Sequence, residues 1–151
     1  MRTIVVGSNA GHECYVLSGD DGCIAEARRH VAAFLDQAHT RDALLVSARA
    51  TEVSQLVVSE LVTNARKYAP GPVMMELRID ADTVEVIVRD RNPTVPTARA
   101  PDPGRIGQHG LEIVKAVTTE FDIQQEIAGK RITARIALPD EGNAAPTGRR
   151  Q

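Results

Sequence analysis

At residues 70–72 the chain reads Pro-Gly-Pro, and the hydrophobic period changes across it. Before it, over about residues 52 to 69, Val58, Leu61, Val62 and Ala65 cluster on one side of a helical wheel and make a core face. Proline cannot continue a helix and glycine permits a sharp reversal, so the helix stops there. After it, Val73, Met75, Leu77 and Ile79 alternate, "DADT" turns, and Val84, Val86 and Val88 alternate again. A helix with a broad apolar side, followed at once by a half-apolar antiparallel hairpin, can bury both surfaces by lying on the hairpin.

The second half of that helix, "SELVTNARKYAP", is polar in an unusual place. With Glu60 at zero and about 100° per residue, Asn64 falls about 40° to one side and Lys67 about 20° to the other. Val53, Leu56 and Val57 occupy the same stripe upstream, so it begins apolar and turns polar halfway along. A solvated helix face with an i,i+4 pair is one account of such residues. A metal–phosphate site is the other. An amide oxygen suits Mg²⁺ together with phosphate oxygens and waters, a carboxylate can take the proton of an attacking hydroxyl, and a lysine meets a phosphate as a point charge.

The remaining elements follow from period and punctuation. "ECYVLSG" reads as a short strand. Asp20, Asp21 and Gly22 announce a helix over 23–38, with Ile24, Ala27, Val31, Phe34 and Leu35 at helical spacing. Residues 39–49 read as a connection, with Thr51 as the N-cap of the central helix. Residues 91–106 carry four prolines and no periodicity, a loop of the length that is often functional. Gly107 and Gly110 lead into a short helix, "LEIVKAVTT", and "FDIQQEI" with "RITARIALP" makes a second hairpin. Residues 1–13 are expected to be flexible and 140–151 disordered, leaving one domain over 14–139. Helices and hairpins in separate runs indicate α+β, with helices layered on one face of a mostly antiparallel sheet.

Composition excludes several classes. The 151 residues suffice for one domain with a real core, and 42% apolar with 25% charged residues is ordinary for a globular chain. A net charge of −2 gives no basic footprint for nucleic acid. No apolar run is long enough to span a bilayer and the N-terminus lacks the apolar stretch of a signal peptide, so no membrane role and a cytoplasmic location are expected. Cys14 and Cys23 are too few for a disulfide framework and lack metal-ligand spacing, so they read as ordinary reduced thiols. There is no P-loop, no H-E-x-x-H and no nucleophile elbow. His30 reads as a polar position on an amphipathic helix rather than a phospho-acceptor. Asp90, where a strand opens into the long loop, can accept a hydrogen bond from an exocyclic amine or simply initiate a turn.

The order of these features is more specific than any one of them: a helix with Glu-x-x-x-Asn, a hairpin ending in Asp90, a long loop, glycines, a helix and a hairpin. In that order the chain resembles the histidine-kinase-type ATPase fold shared by gyrase, the Hsp90 chaperones, sensor histidine kinases and mismatch-repair ATPases. Within it, the chain is most similar to small anti-sigma factors that act as serine-protein kinases. The resemblance implies an α+β two-layer sandwich of the Bergerat ATP-binding type, a mostly antiparallel mixed sheet covered on one face by about three helices. "ELVTNARKYA" matches the N box, which puts Asn64 at the Mg²⁺-binding position and Glu60 at that of the catalytic base, with Lys67 near phosphate and Tyr68 near the nucleotide. Asp90 takes the adenine-reading position. "GQHGLEIV" resembles the second glycine box and places Gly107, Gly110 and Leu111 near the phosphates and the lid, with Arg105 and His109 in the same ATP-binding stretch. Thr133 falls near a threonine that helps to bind adenine. The first glycine box departs from Asp-x-Gly-x-Gly: it is "DRNPT", where Asn92 and Thr94 replace the glycines, and asparagine tolerates a left-handed turn.

The resemblance implies ATP and Mg²⁺ as cofactors. As partners it implies a sigma factor, an anti-anti-sigma protein of the STAS type, or both, and a homodimer. Three readings follow. The first is a kinase that phosphorylates a serine of the anti-anti-sigma partner. The second is an interaction module that binds a regulator without turnover, with or without nucleotide. The third, a detached catalytic domain of a sensor histidine kinase, has no convincing acceptor histidine to support it.

Overall fold

The computed structural model describes residues 4–9, 11–20, 22–68, 71–90, 106–127 and 129–139. In chain order the elements are β1 (Ile4–Asn9), β2 (His12–Leu17), α1 (Cys23–Asp42), α2 (Ala48–Tyr68), β3 (Val73–Asp80), β4 (Thr83–Asp90), α3 (Ile106–Val117), β5 (Glu120–Glu126) and β6 (Gly129–Ala137). The strands form one sheet in the order β1-β2-β3-β4-β6-β5, and all five pairings are antiparallel. The α+β sandwich expected from the sequence is therefore present, without the parallel component of a mixed sheet among the described strands. No helix among the described residues is long and apolar enough to cross a membrane.

Alternation decides which side of the sheet meets the helices. Tyr15 and Leu17 of β2, Val73, Met75 and Leu77 of β3, Val84, Val86 and Val88 of β4, and Ile132, Ala134 and Ile136 of β6 are all buried on one face. Against them α1 brings Ala27, Val31, Phe34 and Leu35, and α2 brings Val57, Val58, Leu61, Val62 and Ala65. Helix α1 lies over β2 and β3, α2 over β4 and β6, and α3 packs beside α2 over β5 and β6. The opposite face carries no helix among the described residues. It is built of charged pairs such as Arg89–Glu76 (3.0 Å) and Arg135–Glu85 (3.1 Å), as an open antiparallel sheet requires on its wet side.

Four boundaries differ from the sequence reading, each for a local reason. Residues 4–9, expected to be flexible, pair with β2 as an edge strand. Helix α1 continues past residue 38 to Asp42 and ends at Ala43, which takes the left-handed conformation (φ 55°) without the glycine that signals such a stop. Helix α2 begins at Ala48, because the Ala50 N–H donates to Ser47 Oγ (2.9 Å); Ser47, not Thr51, is the N-cap. Helix α3 begins at Ile106, so Gly107 and Gly110 lie inside its first turns rather than ahead of it. The long loop over 91–105 and the tail over 140–151 lie outside the described residues.

The turn after β2 packs against the turn after α2. Gly19 has φ +82°, and a Cβ there would lie 2.3 Å from the carbonyl oxygen of Gly71. Gly11 has a similar φ of +75°, but its Cβ would make only an ordinary contact with Ile79. Gly11→Ala is expected to cost about 1 kcal/mol, the price of the left-handed backbone alone, whereas Gly19→Ala is expected to cost about 2 kcal/mol or more. Urea unfolding of the two variants checks the difference; equal losses would show that the Gly19–Gly71 contact yields without strain.

Candidate functional site

The polar half of α2 faces the end of the sheet where β4 stops and β6 starts. Asn64 is 2% exposed, because its place on the wheel is adjacent to the buried side defined by Val57 and Leu61. Glu60, a turn earlier and further round, is half-buried, and Lys67 is exposed. The stripe is thus graded across the edge of the core, from the amide inside to the lysine in solvent.

Asp90 continues the inner-face alternation of Val84, Val86 and Val88 and is 7% exposed. Its register partner on β6 is Lys130, which extends the alternation of Ile132, Ala134 and Ile136 backwards and is 2% exposed. The Lys130 ammonium donates to Asn64 Oδ1 at 3.3 Å and pairs with Asp90 Oδ2 at 3.4 Å. An amide, a carboxylate and an ammonium from three elements therefore meet below the surface. A buried charge needs such partners, since its desolvation costs several kcal/mol.

Gly110, buried in α3, completes the wall. A Cβ at this position would lie 2.3 Å from Glu60 Oε1, so the backbone of α3 runs against the Glu60 carboxylate. Glycine in a helix costs about 1 kcal/mol relative to alanine, and here it allows the close approach. Leu111 packs partly buried against the core. Gly107 lies in the first turn of α3. The side chains of Tyr68 and His109, and Asn92 and Arg105 entirely, lie outside the described residues.

Thr133 is not brought to this group. Its register partners are Ile87 and Asp122, and it shares the outer sheet face with Arg131 and Arg135, on the other side from Asp90 and Asn64. An odd-numbered residue of β6 cannot reach the helix side without a slip in register. Lys130, which the sequence reading passed over, takes the place at the site instead. The signal was present: the alternation that ends in Ile136 and Ile132 puts a lysine on the apolar face when counted back two residues.

A family profile described as the histidine kinase-like ATPase domain matches residues 20–136. The chain belongs to this family. No curated protein sequence matches it. Among solved structures it is similar to the blue-light activated histidine kinase EL346 of Erythrobacter litoralis, with a TM-score of 0.51 and 20% identity over 76% of this chain and 42% of that one. The histidine kinase domain of the same protein gives a TM-score of 0.48 at 18% identity, over 87% of this chain and 65% of that chain. Histidine kinase AdeS of Acinetobacter baumannii gives 0.49 at 13% identity, over 83% and 68%. At these identities the likeness concerns the fold. The chain spans about two thirds or less of the two Erythrobacter chains.

For a histidine kinase-like ATPase domain, the donor set fits the ligands that the family implies. Asn64 Oδ1 is a hard oxygen of the type Mg²⁺ accepts, and Asp90 Oδ2 can receive the N–H of an amine. The Lys130 ammonium meets both at once, a positive donor group already seated where the two acceptors point. Ligands entering here would displace it from one oxygen or both.

Lys130→Met leaves the Asp90 carboxylate buried without this counter-ion and is expected to destabilise the fold by about 3 kcal/mol. Adding Asp90→Asn removes that buried charge and is expected to restore a substantial part of the loss. Denaturant unfolding of the single and double variants measures this coupling, and strictly additive losses would mean that the pair contributes no interaction energy.

Proposed function

We propose that the protein is an ATP-binding regulator that transfers the ATP γ-phosphoryl group to a serine of a partner protein, in the manner of an anti-sigma factor kinase. The observation that carries it is the convergence of Asn64, Asp90 and Lys130 beneath a wall formed by Glu60 and Gly110. Asn64 would hold Mg²⁺, whose charge would neutralise the phosphates as the bond to the γ-phosphorus breaks. Asp90 would fix the adenine end through its carboxylate. Lys130 would release Asn64 Oδ1 and keep a positive charge near the phosphates. Glu60 would accept the proton of the serine hydroxyl as its oxygen bonds to the γ-phosphorus, with ADP as leaving group. The partners proposed are an anti-anti-sigma protein of the STAS type as phosphate acceptor and a sigma factor as the protein sequestered. Support for them comes from the resemblance of "ELVTNARKYA" and "GQHGLEIV" to that subgroup.

His30 gives no support to autophosphorylation on this segment. Its ring packs against Tyr15, with centroids 4.3 Å apart, and burial holds its pKa below the ordinary imidazole value. A specific observation favours one other reading. Lys130 already satisfies both acceptors, and a lysine that never leaves them would make the protein a nucleotide-independent interaction module.

Calorimetric titration with ATP and Mg²⁺ separates the two. Saturable binding is expected, weakened about tenfold or more by Asn64→Ala, which removes a buried hydrogen-bonding group, and by Asp90→Asn, which replaces one acceptor oxygen of the carboxylate by an amide donor. Glu60→Ala is expected to leave affinity nearly unchanged and to lower phosphoryl transfer to a STAS-type acceptor at least about a hundredfold. No heat of binding up to millimolar ATP would sink the kinase reading and leave the interaction module.

A further inference from the structure

On the other face of the sheet, β2 and β3 run antiparallel with Cys14 directly opposite Glu76. His12 lies two residues before Cys14 and therefore on the same face. His12 Nε2 is 2.6 Å from Glu76 Oε2 and 3.6 Å from Cys14 Sγ, and one donor atom from each residue lies within 4.8 Å of the others. We propose that His12, Cys14 and Glu76 form a binding site for a divalent transition metal of the zinc class, with a fourth coordination position open to water.

The arrangement of atoms supports a metal over the other uses of such residues. In a thiol–imidazole–carboxylate relay the histidine would turn one ring nitrogen to the thiol and the other to the carboxylate. Here a single nitrogen, Nε2, faces both, so no proton can pass through the ring from sulfur to carboxylate. Three donor atoms from three residues gathered within 4.8 Å of one another fit coordination of one ion instead. Ligand atoms of a tetrahedral zinc site, with bonds of about 2.0–2.3 Å, stand about 3.3–3.8 Å apart. The sulfur–nitrogen separation of 3.6 Å already has this value, the His12–Glu76 pair would open by less than an ångström, and Cys14 and Glu76 lie within 4.8 Å of one another.

The donor types set the class of ion. A thiol and an imidazole beside one carboxylate favour zinc, cobalt or copper over Mg²⁺ or Ca²⁺. The thiol would give its proton to solvent as the metal–sulfur bond forms. Glu76 is held from behind: Arg89 donates to its other oxygen, Oε1, at 3.0 Å, which leaves Oε2 for the ion. The Arg89 charge is shared with Glu126, 3.5 Å from its Nε. On the opposite side of Cys14 the register partner on β1 is Gly7, which has no side chain to cover the sulfur. Cys23 cannot take part, because it is buried at the start of α1 on the helix side of the sheet. For the same reason the site is distinct from Asn64 and does not depend on how nucleotide binds.

Titration of the full chain with Co²⁺ tests this by its absorption spectrum, since only a thiolate ligand gives a sulfur-to-cobalt charge-transfer band. The band is expected in the wild type and in the Cys23→Ala and Asn64→Ala variants, and its loss is expected in Cys14→Ser. Competition with Zn²⁺ should abolish the band. Calorimetry with Zn²⁺ alone should show one site per chain, weakened more than about tenfold by His12→Ala, a larger effect than loss of an outer-shell partner produces at its lower limit. Circular dichroism of Cys14→Ser guards against a folding defect. Absence of the band in the wild type, its survival in a folded Cys14→Ser variant, or its loss in a folded Asn64→Ala variant would overturn the proposal.

Discussion

Helix α2 has to bury its apolar side against β4 and β6, and this requirement positions everything at the end of the sheet where β4 stops and β6 starts. Val57, Leu61 and Ala65 leave the helix no freedom to rotate, because a turn of even one residue would expose them. With rotation fixed, Asn64 is carried over the end of the sheet and Glu60 is left at the rim. Pro70 and Pro72 forbid a further turn of helix, so the polar segment stays where β4 and β6 meet it. The packing that stabilises the domain is also what aims the site.

The same packing explains why a lysine is buried there. Asn64 and Asp90 lie beneath the surface, 2% and 7% exposed, where an unpaired carboxylate would be costly. Lys130 offsets that cost from within the chain. It does so at separations above 3 Å to both partners, long for charge-assisted hydrogen bonds.

Much of this was legible in the sequence wherever one face of an element is buried. The alternation of β3 and β4, the amphipathic α2 and the Pro-Gly-Pro stop gave the sandwich, and the order of motifs gave the family. What was hidden depended on contacts between distant segments. Ala43 ends α1 in a conformation that only its environment selects, and β1 exists because β2 offers it an edge. Thr133 was assigned by motif, but a strand has two faces and the register decides between them. Cys14 and Glu76 lie 62 residues apart and become neighbours only when β2 pairs with β3, so no spacing rule for ligands along the chain could reveal them.

Register is the constraint that joins the two faces. Where β4 meets β6, Asp90 stands opposite Lys130 on the helix side, and Arg89 stands opposite Arg131 on the other. Two arginines facing one another across a ladder repel, yet Glu126 of β5 reaches both, at 3.5 Å from Arg89 Nε and 3.7 Å from Arg131 Nε. A slip of β6 by one residue would carry Arg131 toward the apolar core and turn Lys130 to the other face, away from Asp90, losing both compensations at once. The opposite charges inside and the bridged like charges outside therefore select the same pairing. That pairing puts Lys130 rather than Arg131 or Thr133 beneath α2, and it leaves Arg89 free to face Glu76 on the outer surface.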